Sequence, residues 1–228
     1  MVITAGPTRE PIDPVRFISN YSTGYMGAQV AREASRRGHR VTVICGPISE
    51  PVPASARVIP VEQAQEMDRA LRREARSADV IIMAAAVADY RPVNVTAGKL
   101  KRKGRLTLRL QATPDLIGRL PRRAGQLVVG FALETDQVVA QAAAKLREKR
   151  LDLVLAQQAT ASAKPFGRRE VQAWLVEPGG SVTRLGMRSK PQIAGVLLDK
   201  IEALWYGQNA RRSSGGYAAR FVHRSSVT

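Results

Sequence analysis

Short apolar runs separated by amphipathic helical stretches restrict this chain more than any other feature of its sequence. The runs are Val2 to Thr4, Arg40 to Cys45, Ala56 to Val61, Val80 to Ala86, Leu127 to Ala132 and Leu151 to Ala156. Helical spacing fills the gaps near Met26 to Arg37, Ala64 to Arg76, Pro114 to Leu120 and Gln137 to Lys149. Such alternation feeds a parallel sheet through right-handed crossovers, because parallel neighbours need a long connection across one face. We therefore expect an α/β fold with a wound, mostly parallel sheet and helices on both faces. In the first helix Met26, Val30, Ala31 and Ala34 form one inward stripe, and Gly38 suits a C-terminal cap.

After Leu151 the pattern changes. Val171 to Val176 and Val182 to Leu185 flank Pro178-Gly179-Gly180, which predicts a C-terminal β-hairpin, and Pro191 to Trp205 predicts a closing helix. Residues 1–206 should form one domain, since a chain of 228 residues that is 44% hydrophobic can bury one substantial core. Beyond Tyr206 the Ser-, Gly- and Arg-rich sequence has no apolar period, so residues 207–228 are expected to be a basic, disordered or weakly docked tail.

Composition narrows the chemistry. The apolar runs fall short of the roughly 18 residues that span a bilayer, and no secretory signal pattern opens the chain, so we expect no membrane association and a cytoplasmic location. Cys45 is the single cysteine and lies in an apolar strand, where a buried residue is a better reading than a nucleophile. With only His39 and His223 besides, a zinc centre built by the protein is not expected. Lys and Arg total 36 against 19 Asp and Glu, a net charge of +17 that favours anionic ligands. Many of these cations, such as Arg32, Arg36 and Arg37, fit solvated helix faces.

The stretch Ile3 to Gly27, ITAGPTREPIDPVRFISNYSTGYMG, combines an apolar strand, a loop rich in Gly, Pro, Ser and Thr, and a small-residue turn opening a helix. Backbone arranged in this way approaches phosphates closely. It is not a dinucleotide fingerprint: Gly24 and Gly27 make only G-x-x-G, and the second strand ends in Cys45-Gly46-Pro47 with no acid for a ribose. Nor is a Walker loop present.

Several long motifs in order resemble bacterial phosphopantothenoylcysteine synthetase. They are Thr4-Ala5-Gly6-Pro7-Thr8-Arg9-Glu10-Pro11-Ile12-Asp13-Pro14-Val15-Arg16, Ile18-Ser19-Asn20 and Ser22-Thr23-Gly24-Tyr25-Met26-Gly27. Further on come Ala84-Ala85-Ala86-Val87-Ala88-Asp89-Tyr90-Arg91, Lys99-Leu100-Lys101-Arg102, Pro114-Asp115, Val129-Gly130-Phe131-Ala132 with Glu134-Thr135, and Lys145, Lys149 and Asp152. The resemblance covers residues 1–206. It implies a Rossmann-like ligase of coenzyme A biosynthesis that joins phosphopantothenate to L-cysteine through an acyl-cytidylate, with CTP as cosubstrate and Mg2+ held largely by phosphate oxygens.

Site residues follow from the matched positions. Asn20 would hold the acyl-cytidylate, Arg16 would contact substrate, and Lys99, on a mobile loop, would reach the triphosphate; these are the catalytic candidates. Gly6, Ser22, Gly24 and Met26 belong to the phosphate-approaching stretch. Met83, Ala84 and Ala85 would read the base, Asp89 would contact the nucleotide, and Pro114, Asp115, Leu116 and Ile117 would line its site from a helix start. Phe131 fits either the base or the core, and Lys145 and Lys149 share a helix face that either meets phosphate or is solvated. Taken without the motif around them, Asn20 reads as a cap or turn residue, Arg16 as a surface ion pair and Asp89 as a turn carboxylate.

Two departures stand out: Tyr25 occupies a position where many relatives have Lys, and Ala156-Gln157-Gln158 stands where they show Asn-Asp. No flavin domain precedes Met1, so we expect a stand-alone synthetase or a separated part of a bifunctional protein, with a separate flavin-dependent decarboxylase as a possible partner. Family members are dimers; Leu106, Leu108 and Leu110 alternate as a pairing strand would, which makes residues 91–110 the expected dimerisation arm of a homodimer. The other readings are an NAD(P)-dependent oxidoreductase and a basic nucleic-acid-binding module, the latter supported by charge but by no recognition motif.

Overall fold

A computed structural model of the chain describes residues 1–160 and 165–221. The elements are β1 (Val2–Ala5), β2 (Arg9–Pro11), β3 (Phe17–Ser19), α1 (Tyr25–Arg36), β4 (Thr42–Cys45), β5 (Arg57–Pro60), α2 (Ala64–Ala75) and β6 (Val80–Met83). There follow β7 (Tyr90–Pro92), β8 (Leu110–Ala112), β9 (Leu127–Glu134), α3 (Val138–Glu148), β10 (Leu153–Gln158), β11 (Val171–Val176), β12 (Val182–Arg188) and α4 (Lys190–Phe221).

The main sheet runs β5-β4-β1-β6-β9-β10-β11-β12. The pairings from β5 to β10 are parallel, and the β10–β11 and β11–β12 pairings are antiparallel. The expected wound sheet and C-terminal hairpin are both present. Chain order reverses between β1 and β6, which makes their carboxyl ends the topological switch point where open α/β sheets bind ligands.

Each strand divides its side chains between two cores, because successive residues point to opposite faces. On one face Ile3, Val43, Ile82, Val129 and Leu155 pack with Val30 and Ala34 of α1 and with Ile193, Leu197 and Ile201 of α4. On the other, Ile44, Ile81, Val128 and Val154 pack with Met67 and Leu71 of α2 and Ala142 and Leu146 of α3. The predicted stripe of α1 is buried as expected, and Gly38 follows the helix with φ 84°. Each fully buried Leu or Ile contributes about 2 kcal/mol from removed apolar surface.

Three expectations are corrected. Residues 114–120 form successive turns rather than a helix. Asp115 Oδ1 accepts the Gly118 N–H at 3.0 Å as an N-cap side chain does, so the turn starts only after Asp115, and Pro121 ends it before a second turn can form. Residues 106–109 carry no strand; only Leu110–Ala112 pairs, antiparallel to Tyr90–Pro92. The long loop after β1 contains an antiparallel hairpin, β2 with β3, that the proline-rich sequence concealed. Helix α4 continues past Trp205 to Phe221, while residues 222–228 of the basic tail lie outside the described residues.

Candidate functional site

A cavity of about 930 Å³ opens at the carboxyl ends of β1 and β6. Its shape is set first by backbone pairing beyond the strands. Ala86 donates to Gly6 O at 2.9 Å and Thr8 donates to Ala86 O at 3.3 Å, so the two strand extensions run on together past the sheet. The buried hydroxyls of Thr4 and Thr8 accept the N–H groups of Ala85 and Ala88, at 3.1 and 3.0 Å. These bonds hold residues 84–88 against the β1 side.

Asn20 closes the same junction. Its Nδ2 donates to Ala86 O at 3.2 Å and to Val87 O at 3.1 Å, so it is neither a helix cap nor a local turn residue. Farther along, Ser22 Oγ accepts Gly24 N at 3.2 Å and Thr23 Oγ1 accepts Tyr25 N at 3.3 Å. Gly24 stands at the N-cap of α1 with φ 77°, a left-handed conformation that favours glycine. The N-cap residue Gly24 has no side chain to offer that end, and Thr23 Oγ1 takes only the Tyr25 N–H, which leaves the rest of the first turn of α1 turned toward the cavity wall.

On the α3 side Lys145 Nζ donates to Phe131 O at 2.7 Å. Burial holds the Lys145 ammonium below its ordinary range, although Glu134 and Asp89 pull it back up. Lys149 pairs with Asp115 at 2.8 Å. Burial opposes ionisation of Asp115, yet the bonds from Lys149 and Gly118 outweigh it and lower its pKa overall. Phe131 packs against the core and lines the cavity at once.

The cavity brings together Asn20, Ser22, Gly24, Met26, Met83, Ala84, Ala85, Asp89, Pro114 to Ile117, Phe131, Lys145 and Lys149. It does not include Gly6, Arg16 or Lys99 among its lining residues. Gly6 lies behind the wall, bonded to Ala86. Arg16 is committed elsewhere: its guanidinium binds the Asp13 carboxylate and donates to Leu100 O at 2.9 Å. Asp13 Oδ2 in turn accepts Leu100 N at 3.1 Å. Arg16 and Asp13 thus tether the loop that carries Lys99.

Sequence reasoning passed over Tyr21, Thr113, Phe166 and Lys190 and noted Gln157 only as part of a departure from relatives; all five line the cavity. Phe166 lies 6.1 Å from Tyr21, centroid to centroid, and so pairs the loop before α1 with the segment before β11. Lys190 lies one residue before the helix expected from Pro191; in the structure it is the first residue of α4, where a cation opposes the macrodipole.

Residues 1–204 match the family described as the DNA/pantothenate metabolism flavoprotein C-terminal domain. The chain belongs to that family. It is 41% identical over 215 residues to the coenzyme A biosynthesis bifunctional protein CoaBC of Mycobacterium bovis, covering 88% of this chain and 51% of that protein. It is 40% identical over 207 residues to the Bacillus subtilis protein of the same name, covering 90% of this chain and, again, 51% of the relative. A protein named cysteine/cysteine sulfinic acid decarboxylase, from an unknown prokaryotic organism, is 37% identical over 206 residues, 89% of this chain and 57% of that one. The chain therefore spans about half the length of the curated relatives it matches. The crystal structure of the C-terminal domain of CoaBC superposes with a TM-score of 0.76 at 34% identity, covering 90% of this chain and 95% of that domain.

Proposed function

We propose that this chain is a phosphopantothenate–cysteine ligase of coenzyme A biosynthesis that uses CTP through an acyl-cytidylate. The observation that carries the reading is the junction at the switch point, where Asn20 bridges to Ala86 and Val87 inside a cavity also lined by Lys145 and Lys149. Its match to the CoaBC C-terminal domain over nearly the whole length of that domain supports the same reading. The decarboxylase name of one relative belongs to a protein of which this chain spans 57%.

The chemistry runs in two displacements. A carboxylate oxygen of phosphopantothenate attacks the α-phosphorus of CTP, the bond from that phosphorus to the bridging oxygen breaks, and pyrophosphate leaves. The amine of cysteine then attacks the acyl carbon, CMP leaves with the bonding electrons, and one amine proton passes to solvent. Both steps move negative charge, so fixed amides and cations lower their barriers. In the reading offered here Met83, Ala84, Ala85 and Phe131 receive the base, and Lys145, Lys149 and Lys99 meet phosphate. Asn20 holds the acyl intermediate.

Magnesium would neutralise phosphate charge when bound. Among the described residues no group of three or more His, Cys, Asp or Glu could hold a metal. An ion carried mainly by phosphate oxygens and water needs few protein ligands, and Asp89 on the cavity wall could supply one. A homodimer built on the arm of residues 91–110, with a cytoplasmic location, completes the proposal.

Mixing the protein with phosphopantothenate, L-cysteine, magnesium and either CTP or ATP, while following pyrophosphate release, tests it. Cysteine-dependent product with CTP is expected. No such product with either nucleotide overturns the assignment.

A further inference from the structure

A cation lies in the cavity wall with no carboxylate to itself. Lys190 is the first residue of α4, is only 3% exposed, and lines the cavity. Its ammonium donates to the carbonyl oxygens of Pro165 and Gly167, both at 2.7 Å. Among the described residues the carboxylate whose field reaches it is Glu50, and Glu50 is also paired to Arg168 at 3.4 Å. The Tyr25 ring, at the first residue of α1, lies 5.9 Å from the Lys190 ammonium and 5.5 Å from the Arg168 guanidinium.

Holding two carbonyls does not require a charge. A neutral amide has two N–H donors and would tie Pro165 and Gly167 without the cost of burying an ammonium. The charge is therefore the unexplained part, and it stands where a cation is otherwise disfavoured, at a helix N-terminus. The place compensates for that only if an anion arrives. Helices α1 and α4 lie on one face of the sheet and α3, with Lys145 and Lys149, on the other, so cations reach the cavity from both faces.

We propose that Lys190 is an anion-binding residue of this cavity, holding the polyphosphate of the nucleotide together with the first turn of α1. The assignment of a nucleotide rests on the function proposed above; the assignment of an anion rests on Lys190 itself. Arg168 and the ring of Tyr25 flank the group, and Tyr25 leaves Lys190 as the buried cation on this side of the phosphate-approaching turn. Burial holds the ammonium down to about 8 while Glu50 pulls it upward. Lys190 is thus charged at neutral pH and loses its charge as the pH rises through that value.

The test measures binding of CTP, cytidine and inorganic triphosphate to the wild-type chain, Lys190→Gln and Lys190→Arg by calorimetry, with melting temperature as a folding control. Lys190→Gln keeps two donors for the carbonyls and removes the charge. It should weaken CTP and triphosphate about tenfold or more, the scale of a lost charge-assisted hydrogen bond, and leave cytidine unchanged. Lys190→Arg should retain most of the affinity. Wild-type affinity for triphosphate should fall between pH 7 and 9, and that of Lys190→Gln should not. Unchanged triphosphate binding by Lys190→Gln, or equal losses for cytidine and triphosphate with a lowered melting temperature, overturns the proposal. A wild-type chain that binds triphosphate through Lys190 but neither CTP nor ATP overturns only the functional reading.

Discussion

Asn20 spans the switch point of the sheet by donating its side-chain amide to the carbonyl oxygens of Ala86 and Val87, at 3.2 and 3.1 Å. Asn20→Asp replaces two donors with an acceptor-only group facing two acceptors. The loop must then turn away from the β6 side. Turnover should fall by about 10²-fold, the scale seen when a positioned oxyanion donor is lost. Pyrophosphate-release kinetics check this, and the exposed position predicts a melting temperature close to that of the unaltered chain. Unchanged turnover removes Asn20 from the mechanism.

Asp13 links Arg16 to the loop that carries Lys99, and it is only 2% exposed. The Arg16 guanidinium beside it, helped by the N–H groups of Val15, Leu100 and Arg16 against the effect of burial, holds its carboxyl well below the usual carboxylate range. A depressed folded-state pKa contributes stability above the unfolded value of about 4 and loses it as pH falls toward the folded value. The urea midpoint should therefore drop between about pH 4 and pH 2. In Asp13→Asn that component of the acid limb should be missing, and an acid limb identical to wild type counts against the pairing.

Gly27 lets α1 lie directly on β1. A Cβ placed there would sit 2.6 Å from Ala5 Cβ and 3.1 Å from Ala5 Cα. Backbone cannot yield as a long side chain can, so Gly27→Ala should cost roughly 1–3 kcal/mol through overpacking. Urea denaturation measures it. Because α1 opens on the cavity, nucleotide KM should rise with it.

Cys45 ends strand β4 and is buried, its thiol pushed up to about 11 by that burial. A thiolate is the reactive form, so at pH 8 the native protein should resist a thiol reagent that labels the urea-unfolded chain at once. Cys45→Ala should keep its turnover. Fast labelling of the folded protein would restore Cys45 as a candidate nucleophile.

Leu106 is 61% exposed, and Leu108, Leu110, Val93 and Val95 are exposed beside the β7–β8 pair. An apolar arm of this kind is suited to a second copy. Light scattering should give twice the chain mass of 24.8 kDa for the unaltered protein. Leu106→Lys with Leu110→Lys should return the monomer mass, whereas a wild-type monomer at micromolar concentration rules out the homodimer.

Local signals were legible wherever one residue type has one physical use. The stripe Met26, Val30, Ala31 and Ala34 faced inward as its spacing implied, and the Pro178-Gly179-Gly180 turn joined β11 to β12. The helix expected over residues 114–120 is cut to a single turn because Asp115 caps it from inside the expected span and Pro121 closes it, limits that apolar periodicity does not reveal. Arg16 matched a motif, yet the same motif contained Asp13, whose buried carboxylate binds it. Lys190 was passed over because its significance lies in the carbonyls of Pro165 and Gly167, whose positions no nearby sequence pattern encodes.

The sequence by itself determined the alternation of elements, the class of sheet and the small-residue loop that lines the cavity, because hydrophobic period and turn chemistry act over a few residues. Tertiary structure decided the strand order, and with it the reversal between β1 and β6 that brings Asn20 to Ala86 and Val87. It also decided which cations are solvated and which stand in a cavity wall, Lys145 half-buried and Lys190 buried. The reason is that desolvation and charge pairing depend on what the whole chain packs around a group, and residues 66 positions apart become neighbours only when the sheet closes.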